Sequence, residues 1–309
     1  MARNESAIKK IDGRDWAVQL QKWAQYIPSI DKAGEPPAYE LSKFGGLSEI
    51  YAKVDESQGS YSEDIPVLRS EVLREAIYLI HKGIHVSGAA FLHLESGVTS
   101  WALSNAYQSS FFLLKGILAA LGLSFPRLSK ILLIDCFPKE EELSRSAIKK
   151  GRSPKVEIKF QIFNELSHVE YWEILQRVLR VSTIGSWPEE FVSYIIKIKA
   201  DQFVHERNNL HYKNHYWTFP ADLFERLVDP AFGVNNRFLT DYEVIMDSSE
   251  HQYSFFINYS LLYMGLILIK DISELSKDIQ EEYHLMIKTI KSGSHNRLLE
   301  SIGSSPILS

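Results

Sequence analysis

Two long apolar stretches constrain this chain more than any other feature. Val98–Leu123 carries Ala102, Ala106, Phe112, Leu113, Ile117, Ala120 and Leu121, small and apolar side chains that suit close helix packing. Gly122 is a natural helix stop. The same stretch holds Ser100, Ser104, Asn105, Gln108, Ser109, Ser110 and Lys115. Tyr253–Ile269 is shorter and contains Asn258. A membrane span needs about 20 predominantly apolar residues. Both stretches therefore read as buried helices of a bundle, and no membrane partner is expected.

Helical periodicity recurs elsewhere. Arg14–Ile27 places Trp16, Leu20, Trp23 and Ile27 on one face, and Pro28 should end it. Residues 28 to 64 read as irregular, with Gly45-Gly46 and Gly59-Ser60-Tyr61-Ser62. A long helix should start at Asp64 as N-cap with Pro66 in its first turn. Leu68, Val72, Leu73, Ile77 and Ile80 form its inner face, and Gly83 or Gly88 would allow a bend. The period then changes. Lys130–Phe137 and Lys155–Phe163 read as strands, the second alternating Val156, Ile158, Phe160 and Ile162 with polar residues. The charged connection between them reads as a solvated tip. Further helices are expected at Ser167–Val181, from Pro188 to near Tyr216, and over Glu250–Lys277 and Asp278–Ile302. The expected fold is mainly α, a helical bundle with a β-hairpin insertion. Residues 1–64 form an N-terminal helix and irregular segment, and 65–309 the helical domain, with the hairpin at about 125–163.

The formal net charge of −5 argues against a broadly basic nucleic-acid surface but leaves room for a local one. Cys136 is the single cysteine, so an internal disulfide and cysteine-cluster zinc are excluded. It sits in an apolar run and should be buried and inert. The N-terminus shows no apolar signal-peptide core, and a cytoplasmic location is expected. Walker-type, Gly-x-Gly-x-x-Gly, His-Glu-x-x-His and Gly-x-Ser-x-Gly motifs are absent. His81, His85 and His93 stand at helical spacings, without a cysteine or nearby acid to complete a metal set. No metal and no cofactor is expected.

The densest chemical signal is His205-Glu206-Arg207-Asn208-Asn209-Leu210-His211-Tyr212-Lys213-Asn214-His215. On a helix, Arg207 and His211 lie about 40° apart on one face, and His215 continues the stripe. A guanidinium beside an imidazole pairs a fixed cation with a group that exchanges protons near neutrality. A neutral histidine can take the ribose 2′-proton while the guanidinium stabilises charge at phosphorus. RNA carries that internal nucleophile and DNA does not. The same residues also suit a structural helix end, with the histidines capping carbonyls and the cations favoured by the dipole.

Gly97–Gly122, with small residues and aromatics before a Lys115-Gly116-Ile117-Leu118 run, resembles the first core helix of the HEPN family. Glu206–Tyr212 resembles its second signature, an arginine, a polar residue and then a histidine. The resemblance implies a helical bundle that commonly dimerises. It also implies a metal-independent ribonuclease of toxin–antitoxin or phage-defence type, with one composite site formed by two subunits. Arg207 would then clamp phosphate and Asn208 orient it, with His211 as general base or acid. Tyr212 and His215 would contact substrate. Three residues separate Arg207 from His211, where the family motif usually leaves more, and Tyr212 stands at the shortest usual histidine position. Either His211 serves through a shifted helix, or the domain binds without cutting.

The expected function is thus an RNA-cleaving effector acting on tRNA or mRNA, as a homodimer, with an antitoxin or sensor protein as a candidate partner. The alternative is a non-catalytic dimerisation or partner-binding module, with Trp16, Trp23, Trp172, Trp187 and Trp217 as core or interface anchors. A third reading, an enzyme acting on a free nucleotide, lacks a phosphate loop.

Overall fold

A computed structural model describes residues 11–31, 45–57, 60–137, 157–205 and 251–292, apart from residues 12, 97, 183, 185, 186 and 203, and also residue 208. Helix α1 (Trp16–Asp31) starts where Asp15 Oδ1 accepts hydrogen bonds from the Ala17 and Val18 amides, an N-cap. It runs past Pro28, which falls in its last turn and does not end it. Helix α2 (Leu47–Glu56) and strand β1 (Ser60–Glu63) occupy the segment that reads as irregular. Leu47, Ile50 and Val54 give α2 a buried stripe too short to stand out beside Gly45-Gly46. Helix α3 (Pro66–Glu95) and helix α4 (Thr99–Ala120) follow, then strands β2 (Leu123–Ser124), β3 (Ile131–Asp135) and β4 (Ile158–Phe163). Helices α5 (His168–Val181), α6 (Glu189–Lys197), α7 (His251–Ser273) and α8 (Lys277–Ser292) complete the described elements. The fold is mainly α with an antiparallel sheet.

The chain divides into two compact units. The first comprises Met1–Tyr78, Leu118–Ser167 and Arg177–Gly185. Its sheet has the order β1-β4-β3-β2 and is antiparallel throughout. β3 and β4 pair as a hairpin should, from Ile131 opposite Phe163 to Asp135 opposite Lys159. β1 and β2 extend that hairpin to four strands, which supplies partners for both of its edges. Gly122, at φ 85, ends α4 and turns the chain into β2; a Cβ there would lie 3.0 Å from the Phe137 nitrogen. The Trp23 indole donates to the Ala120 carbonyl at 2.8 Å, tying α1 to the same corner. Arg14 is buried and forks onto Asp135, its Nη1 and Nη2 donating to Oδ1 and Oδ2 at 3.0 and 3.1 Å. Beside it, Gly13 has no room for a side chain: a Cβ would stand 2.0 Å from the Val181 oxygen.

The second unit comprises Leu79–Ile117, His168–Gln176 and Ser186–Ser309. Its core is helix on helix with a small polar centre. Ser87 donates to Asn258 Oδ1, Asn258 Nδ2 donates to Ser109 Oγ, and Ser109 donates to the Gly83 carbonyl, each at 2.7 Å. Three helices are thereby fixed in register by fully buried groups. Gly83 makes room for Leu113, whose Cγ would lie 2.5 Å from an added Cβ. Helix α7 is apolar and long enough to cross a membrane over Ser254–Ser273, yet 83% of that stretch is buried inside the fold, as in a core helix. Phe191, Phe256, Tyr259 and Tyr263 pack edge-to-face around α6 and α7. Trp16, Trp23, Trp172 and Trp187 are all core residues; Trp217 lies outside the described residues.

Candidate functional site

Among the described residues, the helix expected from Pro188 to near Tyr216 is interrupted at Ile198. Ile198 is extended, at φ −69 and ψ 139, and closes α6. Buried Gln176 explains the break, because its amide donates to the Ile195 and Ile198 carbonyls at 2.8 and 2.6 Å and satisfies the freed helix end. The Lys199 amide then donates to Gln202 Oε1 at 3.1 Å, the reciprocal bond of a capping box, and a new helix starts. Residues 200–202, 204, 205 and 208 are helical, with His205 exposed and Asn208 half-buried. Of the residues to which the sequence assigns chemistry, Asn208 is therefore on a helix, whereas Arg207, His211, Tyr212 and His215 lie outside the described residues.

Other imidazoles can be placed fully. His81 and His85 stack on successive turns of α3, with ring centroids 5.7 Å apart and planes 7° from parallel. Burial holds the His81 pKa below its ordinary 6.5, and repulsion from His85 lowers it further. His93 Nδ1 and the Asn105 amide are hydrogen-bonded at 2.9 Å between α3 and α4. His168, the first residue of α5, bonds the Tyr107 hydroxyl through Nδ1 at 2.8 Å and stacks on Phe111 at 4.2 Å. Among the described residues no group of three or more His, Cys, Asp or Glu is placed to hold a metal ion. Cys136 is fully buried, and burial pushes its thiol up to about 12, so it is inert as a nucleophile. The Tyr107–His168 pair escapes sequence reasoning because 61 residues separate its members. Asn105 is visible only as one polar residue in an apolar stretch.

Residues 77–150 match the model of the HEPN domain. The match opens in α3, takes in all of α4 and continues past β3. It bears out the resemblance carried by Gly97–Gly122, and it stops short of the Arg207–His211 signature. The class defined by fold and match is a mainly helical protein with a HEPN-type segment. A HEPN domain indicates a nuclease- or nucleotide-binding-related function, and such domains commonly bind RNA and dimerise. No curated protein and no solved structure matches the chain.

Proposed function

We propose that this protein is a metal-independent endoribonuclease, an effector of toxin or phage-defence type that acts as a cytoplasmic homodimer. The observation that carries the reading is the HEPN match over residues 77–150, followed downstream by Arg207, Asn208 and His211 in the family's order. Arg207 clamps the scissile phosphate and Asn208 orients it. His211 takes the 2′-hydroxyl proton or delivers one to the leaving oxygen. Tyr212 and His215 contact the neighbouring nucleotides. Residues 65–309 form the effector domain with its hairpin insertion, and residues 1–64 a sensing surface. An antitoxin or sensor protein holds the nuclease in check.

Induced expression in a bacterial host tests the assignment. The wild type should arrest growth and fragment tRNA or mRNA, while Arg207→Ala and His211→Ala should accumulate as folded protein and do neither. Wild-type toxicity in either variant would remove that residue from the chemistry. One observation favours the second reading, a non-catalytic dimerisation or partner-binding module: the three-residue gap between Arg207 and His211 is shorter than the family's usual spacing. That reading predicts intact RNA with the wild type and a stable dimer in solution.

A further inference from the structure

The segment around α3 and α4 is nearly free of carboxylates. The chain has 39 Asp and Glu among 309 residues, yet Glu95 is the only one between Ala76 and Ile134. α4 contains none. Cations and rings stand on the outward side instead. Lys82 Nζ lies 4.3 Å from the Phe112 ring centroid, between α3 and α4. His85 and Gln108 are exposed, and Trp101 is 49% exposed. The Lys82–Phe112, Ser109–Gly83 and His93–Asn105 contacts fix α3 and α4 as antiparallel neighbours. Lys82 and His93 are three turns apart on one side of α3; Trp101, Gln108 and Phe112 follow each other on one side of α4. The resulting ridge is about 16 Å long at the helix rise per residue, the reach of a few nucleotides.

We propose that this ridge is a docking track for single-stranded RNA. Trp101 stacks a base, Lys82, seated over the Phe112 ring, meets phosphate, and His85, His93 and Gln108 supply hydrogen bonds along the strand. The proposal rests on the ribonuclease reading and adds a substrate path within the HEPN-matched segment. Two physical features favour a polyanion here. An exposed indole, Trp101, and an exposed lysine, Lys82, share the ridge, a stacking face and a phosphate contact of the kind that bind a strand irrespective of sequence. The chain as a whole carries −5, which favours a polyanion on the segment poorest in carboxylates. α5 brings Glu170 and Glu173, so the strand runs on the α3 side of α4.

The test is fluorescence anisotropy of a short labelled single-stranded RNA with 2′-O-methyl riboses, which cannot be cut, titrated with the full chain at low and near-physiological salt. Trp101→Ala should weaken binding about tenfold, the loss of one stacked base. Lys82→Gln should weaken it and flatten its salt dependence by about one phosphate contact. Circular dichroism confirms that each variant is folded. Unchanged affinity in both folded variants overturns the track, as does wild type that binds no RNA or binds only vesicles of anionic lipid. Cleavage of unmodified RNA by the same preparation separates the two proposals. Cutting with variant-insensitive binding sinks the track alone, and variant-sensitive binding without cutting sinks the nuclease alone.

Discussion

Arg14 is 2% exposed, and its two terminal nitrogens rest on one carboxylate, Asp135, whose Oδ1 also accepts the Phe137 amide. Its guanidinium carbon lies 5.2 Å from the centroid of the Phe137 ring. A buried cation that loses its partner is costly, whatever the intact pair contributes. Asp135→Ala should therefore lower unfolding free energy by about 2–4 kcal/mol, less than for a fully buried pair because the Asp135 side chain is 22% exposed. Urea unfolding measures this, and an unchanged midpoint would mean that Arg14 is satisfied without it. His81 sets a pH dependence of opposite origin. Its folded pKa is depressed, so the unfolded chain takes up the proton first as pH falls. The stability it contributes is complete above pH 6.5 and is lost as pH drops from there through the lowered folded value. Thermal unfolding across that window should show the loss, and His81→Gln should reduce it. A variant with the wild-type slope would place the acid sensitivity elsewhere.

At the level of elements, α3 and α4 pack closely because Gly83 lacks a side chain. An added Cβ would meet Leu113 Cγ at 2.5 Å and Cδ2 at 2.8 Å, so Gly83→Ala should destabilise by roughly 1–3 kcal/mol through overpacking, measured as a drop in Tm. An unchanged Tm would show that Leu113 can shift at no cost. The inner face of α3 is legible in the sequence: Leu68, Val72, Leu73, Ile77 and Ile80 are all buried, since a 3.6-residue period needs no tertiary information. The hairpin is legible in part: Ile158 and Phe160 alternate with Lys159 and Gln161 and are buried, whereas Ile162 is half-buried and Phe163 takes the buried place at the strand's end. Strands β1 and β2 are not legible. Ser60–Glu63 and Leu123–Ser124 are short, and pairing with β4 and β3 rather than their own composition makes them strands. The break at Ile198 is equally invisible, because the group that stabilises it, Gln176, lies 22 residues away. Of the candidate chemistry, the Arg207–His211 spacing can be read locally, whereas the ridge requires α3 and α4 to be set side by side.

For the molecule as a whole, the proposed activity is cleavage of RNA without a metal by a chain of net charge −5 with a HEPN match over residues 77–150. The internal 2′-hydroxyl of RNA does the work of a metal-activated water, so cleavage must leave a cyclic phosphate and must survive a chelator. The purified protein should be incubated with total RNA in excess EDTA and the fragment ends identified. The wild type should yield discrete fragments ending in 2′,3′-cyclic phosphate, and His211→Ala should yield none. Cleavage abolished by EDTA, or equal cleavage by the folded His211→Ala variant, would contradict it.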